Sequence, residues 1–558
     1  MASQEEKDRP SNPKGEEGAS TGPSKSALKK AAKEKEKAEK AAKRLEQERQ
    51  EKEKSEANDN AKHLYGHYNL LPEQRDAEDS KTAAQRIKLR GLDETWEGKE
   101  VTVCARVHNA RVQSAKLAFL DLRQRTENIQ AVISEGGENQ ISRQMVKWCG
   151  GLNRESIVLV TGLAKKPKDP IHSATISNLE IHVTKVYLIA EGPVQLPMQV
   201  KDAMRPPPIG EEAELEDQVD SQGTPIVSLK TRLDNRVLDL RTPTNQAIFG
   251  IQSGVELLFR EYCQNHGFQA IQSTKIAGAA TEGGSGVFEV KYFDKQAYLT
   301  QSPQFYKQMA IAGDMERVYE VGPVFRAENS NTNRHLTEFT GLDFEMEIQE
   351  HYHEVMDFGE DLLIFIFREL KRRYAYEIKV IEREYPDAGN FQIPEGRCPR
   401  ITFAEGIAML REAGEEVSDY DDLTTPQEKH LGALIRAQHH TDFYSLDKFP
   451  LSIRPFYTHP CPLNPALSNS YDFFMRGQEI LSGAQRIHSP ARLVDAMRDK
   501  GLDPRDDGYR HYLDAFRYGC APHGGGGLGL NRIVQFFLGV GNVRLCTLFP
   551  RDPGRRAP

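Results

Sequence analysis

The chain has 558 residues, 38% of them hydrophobic, with 24 phenylalanines and two tryptophans, which suffices for two or three domains with packed cores. A formal charge of −8 excludes a uniformly basic nucleic-acid coat, and the longest apolar runs, such as "LLIFIF" from Leu362, are far short of a membrane span. Seven scattered cysteines without a C-x-x-C pair fit reduced thiols rather than a disulfide framework or a zinc site, and the polar, acidic N-terminus reads as no leader, so a cytoplasmic location is expected.

Residues 1–23 are rich in Pro, Gly, Ser and Glu, a composition that predicts disorder. From Ser24 to Arg44, "SKSALKKAAKEKEKAEKAAKR" carries nine basic and three acidic residues, a net of +6, with Ser24 placed to cap a helix. Composition alone weighs a solvated helix about evenly against a basic arm, beginning at Lys25, Lys29 and Lys30, that meets RNA phosphates. This extension is taken as residues 1–62, and a barrel domain as 63–195. Within the latter, "EVTVCARVHNARV", "LAFLDLRQ", "NIQAVI", "ESIVLVTGLAKKP" and "TISNLEIHVTKVYLI" alternate with period two, which predicts a five-stranded OB-fold barrel. Arg111, Phe119 and Gln130 fall on successive strands. Phe119 alone reads as barrel core, and with its neighbours as a stacking platform for a base.

A segment first proline-rich, then acidic, within 196–240 predicts a hinge. From 241 to 558, long amphipathic helices alternate with strands joined by short loops, which predicts an α+β domain with an antiparallel sheet. In "GPVFRAENSNTNRHLTEFTGLDFEME", Arg326 ends one strand with a planar fork suited to phosphate, and Glu328 accepts from an amino group. Phe339 offers a flat face to a heterocycle, and Asp343 and Glu345 share a strand face. Downstream, "SNSYDFFMRGQEILSGAQRIH" supplies Asp472 and Glu479 as oxygen ligands for Mg2+. The run "GCAPHGGGGLGLNR" reads as a glycine-rich loop before a helix, bringing Arg532 to a base or a phosphate. Glu282 lies in "ATEGGSGVF", and Ser302, Gln304 and Lys307 lie at a strand-to-helix junction in "YLTQSPQFYKQ". His351 and His353 in "HYHE" read as structural.

With these blocks in place, the chain resembles the class II aminoacyl-tRNA synthetases, most closely their cytosolic eukaryotic aspartyl branch, over essentially its whole length. The resemblance implies an antiparallel catalytic domain, an anticodon-reading OB-fold barrel, a homodimer, and ATP-dependent attachment of L-aspartate to tRNA-Asp through an aspartyl-adenylate with Mg2+. Residue by residue, it implies catalytic roles for Arg326, Arg532 and Glu479. ATP would meet Arg326, Glu328, Arg334, His335, Leu336, Phe339, Glu479, Gly529, Leu530, Asn531 and Arg532, and Mg2+ would meet Asp472 and Glu479. Aspartate would be held by Glu282, Ser302, Gln304, Lys307, Asp343, Ser482 and Arg486, and tRNA by Lys25, Lys29, Lys30, Arg111, Phe119, Gln130, Ser330 and Thr332. Two positions depart from the family pattern. Thr274 stands where the first motif has a proline, and Asn531 stands where the third often has a glutamate, so no metal role is given to it. An asparaginyl enzyme and a non-catalytic tRNA-binding paralogue are the alternatives. The paired cations Lys307 and Arg486 favour an acidic substrate over its amide.

Overall fold

The computed structural model describes residues 59–68, 76, 85–136, 140–208, 216–280, 286–330 and 332–557, with 40, 43, 44 and 46. Lys25, Lys29, Lys30 and Glu282 lie outside the described residues. The chain forms two compact units that divide between Val194 and Gln195.

The first unit consists of β1 (Tyr65–His67), β2 (Glu100–Ser114), β3 (Leu117–Gln124), β4 (Glu127–Ser134), α1 (Arg143–Gly150), β5 (Ile157–Lys165) and β6 (Glu180–Ala190). Strand order is β1-β6-β4-β3-β2-β5, and pairing of β5 with β6 closes the barrel. The alternation read from sequence is what closes it. Val101, Val103, Ala105 and Val107 of β2 and Ala118, Leu120 and Leu122 of β3 all point inward and are buried.

The second unit is built on an eight-stranded sheet. Its strands are β7 (Gln269–Ala270), β8 (Arg317–Phe325), β9 (Glu338–Glu347), β10 (Arg400–Thr402), β11 (Phe443–Asp447), β12 (Ser470–Met475), β13 (Gln478–Gln485) and β14 (His523–Gly529). They are ordered β10-β11-β12-β13-β14-β9-β8-β7. Six central strands are antiparallel, and the short edge strands β7 and β10 pair in parallel.

Helices α2 (Pro243–Asn265) and α4 (His353–Arg373) pack on one face of this sheet. Between them in sequence lies α3 (Gln304–Ala312), and after them come α5 (Thr425–His439) and α6 (Leu530–Leu538). Helix α2 starts where Thr242 accepts from the Asn245 amide and Pro243 pre-sets the first turn; it ends before Gly267, whose φ is 78°. Its Ala247, Ile248, Ile251, Val255, Leu258 and Phe259 recur at helical spacing and fill the core beside Leu342, Phe344, Phe473, Leu481 and Leu528 of the sheet. Each buried Val, Leu, Ile or Phe among these contributes roughly 1.5–3 kcal/mol. Within the segment read as a hinge, residues 229–239 form two short helices whose Leu229 and Leu233 join this core and whose Arg232 and Asp239 form a buried ion pair. With its helix-covered face filled, the sheet leaves its other face to polar side chains.

Candidate active site

Strand β9 shows how the sequence divides its labour. Leu342, Phe344 and Met346 point into the helix-covered core, so Phe339, Gly341, Asp343 and Glu345 must point the other way. Their space is provided by β14, which pairs with β9 through Gly525 opposite Glu345 and Gly527 opposite Asp343. A Cβ on Gly525 would lie 2.3 Å from Glu345 Oε2 and 2.1 Å from the Phe344 carbonyl oxygen; one on Gly527 would lie 2.9 Å from Asp343 Oδ1. The glycine run expected to form a loop before a helix is therefore a strand, His523–Gly529, and its missing side chains leave room for two carboxylates.

Those carboxylates meet two buried cations. Lys307 Nζ, carried on α3, donates to Asp343 Oδ1 at 3.0 Å and lies 3.4 Å from Glu345 Oε2. Arg486 donates through Nε to Glu345 Oε1 at 2.9 Å and through Nη2 to Oε2 at 3.3 Å and to the Gly525 carbonyl at 3.0 Å. Burial works to raise the Glu345 carboxyl, but Arg486 and Lys307 outweigh it and hold it below the usual carboxylate range. The Gln304 side-chain Nε2 is buried without a hydrogen-bond partner, a donor left over at the same end of the cavity.

The cavity above them encloses about 300 Å³. Ser302, Gln304, Lys307, Arg326, Glu328, Arg334, His335, Leu336, Phe339, Asp343, Glu479, Ser482, Arg486, Gly529, Asn531 and Arg532 all line it, which brings together most of the residues expected to hold aspartate and ATP. Its opposite end is cationic. Arg326 sits with its guanidinium carbon 5.6 Å from the centre of the Phe339 ring, and its Nε is buried without a partner. Arg532 donates to the Arg334 carbonyl at 3.3 Å, and Arg334 Nη1 lies 2.8 Å from Glu428 Oε2. Burial, then Arg532, push His335 down to about 4, so it sits neutral among the arginines. Its Nδ1 is held by the Thr332 hydroxyl at 2.5 Å and approached by that of Ser330 at 3.4 Å, so these two side chains meet His335 before any RNA. Burial also pushes Glu428 up to about 7, against the opposing pull of Arg334.

Two expected contacts differ. Leu530 turns its side chain into the core and does not line the cavity. Asp472 stands behind it: Oδ2 accepts from Arg454 Nη2 at 2.7 Å, while buried Oδ1 has no hydrogen-bond partner. Burial raises the Asp472 carboxyl, with Arg454 opposing. An oxygen so placed, with Glu479 on the cavity wall, fits a hard divalent cation completed by phosphate oxygens. Among the described residues no three His, Cys, Asp or Glu side chains cluster as a metal site of their own. His353 pairs with Asp447 at 3.0 Å and His351 meets its ring edge to face, as structural histidines do.

Asn531 is buried, its amide donating to the Cys546 carbonyl at 2.8 Å and to the Thr547 hydroxyl at 3.1 Å, so it pins α6 to the following turn. Thr274 bonds Tyr306 at 2.9 Å. Arg454, Tyr457 and Thr458 also line the cavity, and sequence reading missed them. The one available signal was "RPFYTHP" just ahead of the Asp472 block, an Arg–Pro–aromatic run with no periodicity to explain it. In the barrel, Phe119 is only partly buried, and Arg111 lies 5.0 Å over its ring. Gln130 Nε2 donates to Glu180 Oε2 at 2.9 Å.

An antiparallel sheet that backs a cavity with a carboxylate–cation cluster at one end and three arginines at the other, in a chain that also carries a five-stranded barrel, defines a class II aminoacyl-tRNA synthetase. Family models agree: residues 228–553 match tRNA synthetases class II (D, K and N), and 101–189 match an OB-fold nucleic acid binding domain. The cytoplasmic aspartate–tRNA ligase of Homo sapiens is 48% identical over 502 residues, 90% of this chain and 96% of that protein. The aspartyl-tRNA synthetase of Entamoeba histolytica superposes with a TM-score of 0.79 at 44% identity, covering 89% of this chain and 96% of its own. The asparaginyl-tRNA synthetase of Pyrococcus horikoshii, solved with asparaginyl-adenylate, gives 0.71 at 30% identity, covering 85% and 100%. The chain belongs to the aspartate–tRNA ligases of the class II family.

Proposed function

We propose that the protein attaches L-aspartate to tRNA-Asp in the cytoplasm, using ATP. The observation that carries this reading is the cluster of Lys307 and Arg486 against Asp343 and Glu345, below three arginines in one cavity. Aspartate brings an ammonium that Asp343 accepts and a side-chain carboxylate that takes the place Lys307 and Arg486 now share with internal acids. Charge is then balanced. Asparagine would bring the ammonium without the carboxylate, leaving a buried cation uncompensated at a cost of about 1–3 kcal/mol or more. Lysine would add like charge.

In the first step the aspartate α-carboxylate oxygen attacks the ATP α-phosphorus, a P–O bond forms, and the bond to pyrophosphate breaks. Arg326 stabilises the charge growing on the α-phosphate, Phe339 and Arg532 hold adenine between them with Glu328 at its edge, and Arg334 and neutral His335 meet the outer phosphates. Asp472 and Glu479 are the residues that would hold Mg2+, which when bound adds positive charge beside the phosphates. In the second step the terminal ribose hydroxyl of tRNA attacks the aspartyl carbonyl and AMP leaves. No side chain acts as a nucleophile, consistent with a site of cations and carboxylates. Arg111, Phe119 and Gln130 are assigned to anticodon bases, and Ser330 and Thr332 to the acceptor end. The protein acts as a homodimer in this reading; exposed Ile276, Tyr292 and Phe293, which follow Thr274 in the chain, are apolar side chains suited to such a contact.

ATP–pyrophosphate exchange driven separately by aspartate, asparagine and lysine tests the assignment. Exchange with aspartate alone is expected. Exchange with asparagine but not aspartate reverses the specificity, and exchange with none favours a non-catalytic tRNA-binding protein.

A further inference from the structure

Arg334 belongs to the loop joining β8 to β9, whereas the carboxylate that holds it comes from the first turn of α5, an element that contributes no side chain to the cavity lining. The pair is close, Arg334 Nη1 to Glu428 Oε2 at 2.8 Å, and mostly shielded, with side-chain exposures of 18% and 9%. Of the two partners, Glu428 is the fixed one. Helix α5 begins with Gln427 Oε1 accepting from both the backbone N–H and the hydroxyl of Thr424, each at 2.9 Å. Its next turns press on the tight turn between β12 and β13: a Cβ on Gly477 would lie 2.8 Å from the Glu428 carbonyl oxygen, and one on Gly432 would lie 2.3 Å from Gly477 Cα. That turn joins the strands bearing Asp472 and Glu479. Arg334, by contrast, is a long side chain on a loop, and an unrestrained guanidinium loses rotamer freedom when a ligand immobilises it. One nitrogen on Glu428 leaves the other donors of the fork available to the cavity.

We propose that Glu428 is a positioning residue for ATP: from outside the β8–β9 hairpin it fixes Arg334 toward the cavity, so that the guanidinium is already oriented when the outer phosphates arrive. The inference rests on the aspartate–tRNA ligase reading for the identity of the anion, and on the geometry alone for the link between the two residues. Glu428 acts through Arg334, so its effect must vanish when Arg334 is absent.

The test is a double-mutant cycle in the full-length protein with Glu428→Ala, Arg334→Ala and both together, and with Glu428→Gln as the shape-conserving control. Aspartate-dependent exchange reads KM for ATP and for aspartate, and calorimetric titration with ATP reads binding directly. Glu428→Ala is expected to raise the ATP KM and Kd about ten-fold with the aspartate KM within about two-fold, Glu428→Gln to fall between it and wild type, and the double variant to match Arg334→Ala. Additive effects, an unchanged or tighter ATP affinity in Glu428→Ala, or equal loss for ATP and aspartate would each overturn the proposal. If wild type binds ATP but shows no exchange with aspartate, the functional reading fails, and the calorimetric cycle still decides the link.

Discussion

Arg486 is the side chain on which the choice of amino acid depends most. Its guanidinium grips Glu345 with two nitrogens and is itself buried, 4% exposed, so outright removal would strand a carboxylate in the protein interior. Arg486→Lys keeps the charge for Glu345 and loses only the fork. We expect the aspartate KM to rise roughly 10- to 100-fold, the equivalent of losing one charged hydrogen bond of about 1.5–3 kcal/mol, with the ATP KM little changed and the melting temperature close to wild type. Steady-state exchange with each substrate varied in turn measures this. An unchanged aspartate KM would remove Arg486 from the amino-acid end of the cavity.

At the scale of elements, the pairing of β9 with β14 makes the site. Alternation in "TGLDFEME" is legible in sequence because a strand turns successive side chains to opposite faces, which puts Asp343 and Glu345 together and Leu342 and Phe344 opposite them. The glycine run reads as a loop because what its hydrogens make room for is set by a strand from elsewhere in the chain. Asp472 reads as a metal ligand without Arg454, and Glu428 does not stand out at all, for the same reason: neither partner leaves a local pattern, and only tertiary packing brings them to the cavity. Gly525→Ala tests the pairing directly. The added methyl meets a carbonyl oxygen of β9, which cannot move aside as a flexible side-chain end could, and it also meets Glu345 Oε2. We expect destabilisation of about 1–3 kcal/mol, measured by denaturant unfolding, together with loss of aspartate-dependent exchange. A variant with wild-type stability and exchange would show that β14 has slack that the geometry denies it.

At the scale of the whole molecule, the proposed reaction has one tRNA meet both the OB-fold barrel and the catalytic unit. The chain carries −8 overall while the segment from Ser24 to Arg44 carries +6, which leaves −14 for everything else, most of it from residue 196 onward. If the Ser24–Arg44 segment is the arm proposed to meet RNA, its cations act by releasing counterions from phosphates, an effect that weakens steeply with salt. Deleting residues 1–60 should weaken tRNA binding most at low ionic strength and make log Kd against log salt shallower by about 2–4, while aspartate-dependent pyrophosphate exchange, which needs no tRNA, stays at the wild-type rate. Filter binding across a salt series, paired with exchange on the same preparation, separates the two. A parallel loss of binding and exchange would mean that the segment supports the catalytic unit itself, and an unaltered salt dependence would move the electrostatic contact with tRNA onto the folded domains.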